Sequence, residues 1–242
     1  MNEIIESLRA RKSIRAFEQR SISPEDKNAI LLAAMAAPSP GNQQLYTILD
    51  ITDQTLKNTL AVSCDDQPFI ATAPMMLIFV ADCQKWFDAY KSVGLTPRKP
   101  GPGDMVLSIV DASIAAQNAV TAAQSLGIGS CYIGDITENC ELHRSLLNLP
   151  QYAIPSAMVI FGYPTQVQVD RQKPERCALK HIVHENGYRQ MNASELNEML
   201  GNKSNDRPYE EWLTAFYNRK YASDFAIEMN RSAGEYLKDF KE

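Results

Sequence analysis

The stretch "DMVLSIVDASIAAQNAVTAAQSLGIGSCYIGD", residues 104–135, decides how the rest of the chain is read. Residues 104–126 are apolar nearly all round and rich in Ala and Ser, with no breaker before Gly127. That pattern predicts one long helix, lying in a core or a subunit interface, that ends at the glycine. "GIGSCYIGD", residues 127–135, then turns and extends.

Moving toward the C-terminus, "NCELHRSLLNL" predicts a further helix and "PSAMVIFGYP", residues 155–164, a buried strand. Residues 193–242 read as mostly helical and charged, with Trp212, Phe216 and Tyr217 as apolar anchors suited to docking on the core or on another chain. Moving toward the N-terminus, the Pro/Gly-rich run of residues 92–104 predicts a surface loop. "PMMLIFVAD", residues 74–82, is an almost unbroken apolar strand of the kind buried on both faces. Before it come a helix capped by Thr52 or Asp53 and running to about Val62, a strand in "LYTILDIT", and a turn in "SPGNQQ", residues 39–44. Ser23 followed by Pro24, Glu25 and Asp26 is a helix start, because the hydroxyl caps, proline suits the first turn and acids favour the positive end of the dipole. Ile4, Ile5 and Leu8 share a face of a short helix that leads into basic residues. Helices and strands are mixed, no repeat period appears, and a single domain over 1–242 is expected, with 193–242 a helical C-terminal extension.

Composition narrows the function. The 242 residues are 45% hydrophobic and 22% charged, an ordinary globular balance. A formal charge of −5 would repel a phosphate backbone, so nucleic acid is not an expected partner. No uninterrupted apolar run approaches the roughly 20 residues of a membrane span, and the first residues lack a signal-peptide core, so no membrane partner and a cytoplasmic location are expected. Five cysteines with no C-x-x-C spacing suit reduced thiols.

Several chemistries are missing. "GIGSCY" has Tyr132 where a dinucleotide fingerprint needs its third glycine, and it follows a helix rather than a strand. There is no P-loop and no G-x-S-x-G elbow. "HIVHEN" spaces His181 and His184 three apart but offers no further ligands, so no metal is expected. Redox or group-transfer chemistry in such a chain would come from a bound organic cofactor. One local anion site stands out: "ARKSIRAF", residues 10–17, sets Arg11, Lys12 and Arg15 within five positions. Taken alone, such a run is a solvated face.

It does not stand alone. "RKSIRAF" resembles the R-x-S-x-R-x-F opening of nitroreductase-like flavoproteins, "APSPGNQQ" their A-P-S-x-x-N-x-Q loop, and "APMMLIFVAD" the strand that follows. "DASIAAQNAVTAAQSLGIGSCYIG" resembles their central dimer helix and flavin-facing loop. "KPERCALKHIVHENGY" and "NKSNDRPYEEW" are similar to the subgroup of NADPH-preferring major nitroreductases and NADPH:flavin oxidoreductases. Here Glu175 separates Pro174 from Arg176, where the subgroup tends to have a compact K-P-R, and Arg207 stands alone where relatives often carry an arginine pair.

The resemblance implies an α+β fold with a central, mostly antiparallel sheet flanked by helices, in a homodimer that exchanges chain ends and binds FMN at its interface. It implies that Arg11 and Ser13, with Lys173 and Arg176, hold the FMN phosphate, which guanidinium, ammonium and hydroxyl donors suit. Arg15 would face the flavin N1/O2 edge, and Lys12 the phosphate or ribityl. Ser39, Asn42 and Gln44 would line the flavin of the partner chain, and Gln67 would bond ring or ribityl. Tyr132, Ile133 and Gly134 would form the flavin-facing loop, with the Gly134 N–H toward N5. Lys203 and Arg207 would meet the nicotinamide nucleotide. The implied activity is ping-pong transfer from NAD(P)H through FMN to nitroaromatics, quinones or free flavins. The same fold also suits a dedicated dehalogenating or flavin-fragmenting enzyme, or a non-catalytic flavin-binding protein.

Overall fold

The computed structural model describes residues 2–204 and 207–241. Asn205 and Asp206, within the stretch resembling the subgroup's tail, lie outside the described residues. Two compact units are present, residues 1–171 with 228–242, and residues 172–227.

The first unit holds α1 (Glu3–Ala10), α2 (Pro24–Met35), β1 (Tyr46–Asp50), α3 (Gln54–Ser63), α4 (Pro68–Ala71), β2 (Met75–Asp82), α5 (Gln84–Ser92) and α6 (Pro102–Ser125). It continues through β3 (Gly129–Ile133), α7 (Cys140–Leu146), β4 (Ala153–Gly162) and α8 (Gln166–Asp170). The second unit contains α9 (Leu179–Ile182), α10 (Ala193–Gly201) and α11 (Tyr209–Lys220). The last helix, α12 (Asp224–Lys238), starts in the second unit and from Glu228 belongs to the first.

The strands form one antiparallel sheet in the order β1-β2-β4-β3. Side chains of β2 alternate faces, as a strand's period of two requires. Met75, Leu77, Phe79 and Ala81 enter one core, and Met76, Ile78 and Val80 the other. Every residue of β2 is buried, so the unbroken apolar run of the sequence is explained by two cores rather than one. The register shifts between Phe79 and Val80, where Pro155 of β4 faces Val80 and can donate no ladder hydrogen bond.

The long helix is where the sequence placed it, but begins two residues earlier, with Pro102 in its first turn. Asp104 accepts from the Gly101 N–H at 2.8 Å and so closes the N-terminal turn. Among the described residues this 24-residue helix is the one long and apolar enough to cross a membrane, which corrects the reading that no such stretch exists. Its packing is that of a core helix: Ala112, Ala115, Ala116, Ala119 and Ala123 lie at 0% exposure against β2, β4 and α2. A second difference is α5, which the sequence reading passed over. Asp82 starts it by accepting from the Gln84 N–H at 3.0 Å and the Lys85 N–H at 3.3 Å.

Tyr236 and Phe240, at the chain's end, are both 1% exposed within the first core. In the second unit Trp212 is buried and its ring lies 5.3 Å from that of Phe216, whereas Phe216 and Tyr217 are exposed. All five cysteines are free thiols.

Candidate functional site

Residues 11–18 run as an extended ribbon along the edge of the sheet. The α1 helix stops at Arg11, whose ψ of 130° takes the chain out of helical geometry. Ser13 then bridges Ser130 of β3 in parallel, the Ile14 N–H donates to the Ser130 carbonyl at 2.9 Å, and Phe17 bridges Pro164. Ile14 is buried, and Phe17 packs on the second core. This approach needs two glycines that face each other across β3 and β4, Gly129 and Gly162. A Cβ on Gly129 would sit 2.6 Å from Ile14 Cγ1, and one on Gly162 2.7 Å from Phe17 Cδ1.

The ribbon holds its cations in distinct settings. The Arg11 guanidinium stands 5.7 Å from the Tyr132 ring centroid, and its Nε is buried with no hydrogen-bond partner. Lys12 donates to the Val169 carbonyl at 2.7 Å and to the Arg171 carbonyl. Its ammonium thus ties α8 to the ribbon, a structural use the sequence did not show. Arg15 is exposed, its guanidinium 6.0 Å from the Phe69 ring centroid, and its N–H donates to Gln168 Oε1 at 3.3 Å. Burial pushes the Cys131 thiol up, and Arg15, a hydrogen bond with Ser13 and Arg11 pull it back down. These three residues therefore act on one small volume beside β3.

Arg171 escaped the sequence reading. It donates to the Ser13 carbonyl, and its Nε is also buried without a partner. Unpartnered buried donors are rare because desolvation is not repaid. Two of them, one on the arginine that bonds the Ser13 carbonyl and one on the arginine two positions before Ser13, fit an oxyanion with several acceptor oxygens such as a phosphate ester. The only sequence signal for Arg171 was its nearness to Lys173 and Arg176.

Tyr132 and Ile133 end β3, with Ile133 buried and Tyr132 half-buried. Burial pushes the Tyr132 hydroxyl up to about 12 against the opposing effect of Arg11. Gly134 is exposed, and a Cβ there would meet nothing within 4 Å, so its backbone is open to approach. Gln67 begins α4, its side chain donating to the Cys64 carbonyl at 2.8 Å.

The turn of residues 39–44 is built around left-handed backbone at Gly41 (φ 59°), Asn42 (φ 55°) and Gln44 (φ 49°). Asn42 is exposed. Gln44 donates from its side chain to the Met35 carbonyl at 3.2 Å. Ser39 Oγ accepts from the Gln44 N–H at 2.7 Å and donates to Asp111 Oδ2 at 2.6 Å. Asp111, on α6, was not among the residues singled out from the sequence. Lys173 and Arg176 precede α9 in the second unit, Arg176 exposed, and Lys203 and Arg207 lie exposed between α10 and α11.

The family model described as the Nitroreductase family matches residues 8–163. A curated relative named NAD(P)H FMN reductase, from Bacillus subtilis (strain 168), is 28% identical over 239 residues, spanning 98% of this chain and 91% of that protein. The oxygen-insensitive NADPH nitroreductase of Salmonella typhimurium is 30% identical over 220 residues, with 91% of this chain and 87% of that protein covered. Among solved structures, NADPH:FMN oxidoreductase from Vibrio harveyi complexed with NAD+ matches with a TM-score of 0.83 at 26% identity, covering 98% of each chain. A structure of an oxidoreductase from Bacteroides fragilis NCTC 9343 shares the fold with a TM-score of 0.88 at 24% identity, over 98% of this chain and 100% of that one. With the motifs of the ribbon, the loop and the central helix all inside or beside the matched region, the chain belongs to the Nitroreductase family.

Proposed function

We propose that this protein is an NAD(P)H-dependent flavin oxidoreductase that binds FMN on the ribbon and β3. The observation that carries the proposal is the pair of buried, unpartnered Nε donors on Arg11 and Arg171 beside Ser13. In this reading Arg11, Ser13 and Arg171 hold the phosphate through charge-assisted hydrogen bonds. Bound there, FMN supplies two-electron chemistry between the nicotinamide donor and an acceptor, and no side chain of the chain needs to act as acid or base. Arg15, exposed midway along the ribbon, provides a fixed positive charge toward the reducible ring, and Gly134, exposed and with open space where a Cβ would stand, leaves its backbone open to close approach. Lys12 serves this site indirectly, by holding α8 and Arg171 in place.

Nitroaromatics, quinones and free flavins are the proposed acceptors. The roles of Tyr132, Ile133 and Gln67 at the flavin, of Lys173 and Arg176 at the phosphate and of Lys203 and Arg207 at the nucleotide rest on the resemblance. A homodimer is proposed as the working form, and a cytoplasmic location with it. The apolar side chains that α1, α2 and α6 leave exposed support the dimer: Ile4, Ile5, Leu8, Leu32, Met35 and Val110. In that assembly Ser39, Asn42 and Gln44 would meet the partner's flavin.

Anaerobic stopped-flow reduction with NADPH and NADH in parallel, followed by reoxidation with a panel of acceptors, tests the function. Bleaching of a bound oxidised-flavin spectrum and its recovery are expected. A colourless protein that ignores added FMN overturns the proposal.

A further inference from the structure

A buried carboxylate organises the turn that the proposed function sets over the flavin. Asp111 is 1% exposed, and after Asp104 it is the only charged residue of α6, on a buried face otherwise made of Ser108, alanines and Val120. Its Oδ2 accepts from Ser39 Oγ at 2.6 Å and from the Leu45 N–H at 2.9 Å, so a single oxygen grips both ends of the turn. Ser39 relays that grip inward, because the same hydroxyl accepts from the Gln44 N–H at 2.7 Å.

What this grip maintains is a costly backbone. Asn42 and Gln44 both hold positive φ, a region that Asn enters readily but that a residue such as Gln holds only when surrounding structure compels it. Three further bonds leave the turn: the Trp86 indole N–H to the Gln43 carbonyl at 2.8 Å, the Gln44 side chain to the Met35 carbonyl, and the Asp82 N–H to the Leu45 carbonyl at 3.0 Å. None of them ties the Ser39 end to the Leu45 end. The Asp111 Oδ1 atom is buried with no hydrogen-bond partner. A carboxylate is therefore retained on the core helix at a desolvation cost, with one oxygen doing all the binding.

We infer that Asp111 is the positioning residue of the 39–45 turn: through Ser39 and Leu45 it sets where Asn42 and Gln44 stand, and so the shape of the acceptor side of the flavin site. The positioning of the turn follows from the geometry, and its consequence for catalysis rests on the proposed FMN site.

The difference between the bonded Oδ2 and the unpartnered Oδ1 supplies the test. Asp111→Asn can keep its amide oxygen at the Oδ2 position and place the amide nitrogen where Oδ1 lacks a partner, so it preserves both bonds while removing the charge. Asp111→Ala preserves neither, and Ser39→Ala, on the surface side, removes the relay without touching the core. Hydrogen exchange on the full-length protein with FMN present reads the Gln44 and Leu45 amides directly. At least a tenfold acceleration is expected in Asp111→Ala and at Gln44 in Ser39→Ala, with protection retained in Asp111→Asn. The KM for a quinone acceptor should rise in the first two variants more than kcat falls, and the rise should be absent in Asp111→Asn. Unchanged exchange in Ser39→Ala together with Asp111→Ala overturns the inference. So does an Asp111→Asn variant that behaves like alanine, which would make charge, not position, the contribution. If Asp111→Ala does not fold, the Ser39→Ala and Asp111→Asn pair still decides. Failure of the wild type to bind FMN, with the exchange pattern as expected, would remove the flavin reading and leave the positioning role intact.

Discussion

Arg11 shows how a single side chain can point to a ligand. A guanidinium nitrogen buried without a partner is stable only if something else completes its hydrogen bonding, and the neighbouring Ser13 and Arg171 select an anion. Arg11→Ala is expected to weaken FMN binding by about 1.5–3 kcal/mol, the range for hydrogen bonds to charged groups, as measured by flavin titration. Glu138 is 7% exposed with Oε1 unpartnered, and burial, then Asp135, Asp65 and Glu228, push its carboxyl from 4.5 up to about 7. The folded protein thus holds a proton that the unfolded chain has already released, so this group's contribution is present at low pH and declines as pH rises from 4.5 through about 7. Glu138→Gln should remove that decline: the melting temperature of the variant relative to wild type should climb between about pH 5 and pH 8. A difference that stays flat would place the Glu138 titration elsewhere.

At the scale of elements, the ribbon and the sheet are one device. Gly129 and Gly162 pair across β3 and β4 and leave the room that Ile14 and Phe17 occupy. Gly129→Ala and Gly162→Ala should each destabilise the fold by about 1–3 kcal/mol, the cost of overpacking, seen as a lower urea midpoint at unchanged slope. Because Ile14 sits between Ser13 and Arg15, Gly129→Ala should also weaken FMN binding, whereas a purely remote packing defect would leave it alone. The elements that carry the site were legible where local chemistry is strong. Ser23 does accept from the Asp26 N–H and Asp53 from the Leu56 N–H, as their positions before α2 and α3 required. α5 was not legible, since Asp82, whose carboxylate accepts from its first N–H groups, reads as the end of an apolar strand.

For the whole molecule, the apolar side chains exposed on α1, α2 and α6 call for cover. Sedimentation velocity should give twice the 27.1 kDa chain mass. Val110→Lys, on an exposed position of α6, should shift that equilibrium toward monomer and reduce retained FMN with it. A stable monomer that keeps its flavin would remove the dimer from the proposal. The same apolar helix reaches the length of a membrane span, yet its alanine face lies in the core, a distinction composition cannot make.

The sequence by itself determined the alternation of helix and strand, the double burial of β2, the long central helix and the motifs of the ribbon and the turn. Each of these depends on neighbours within a few residues, through periodicity, capping or turn chemistry. Tertiary structure alone decided that Lys12 binds the carbonyls of Val169 and Arg171 at the end of α8, that Arg171 comes to Ser13 across 158 positions of chain, and that Asp111 holds a turn 66 residues before it. Those contacts join residues with no local relation, and their worth comes from desolvation at the place where the chain brings them together, which no spacing in the sequence encodes.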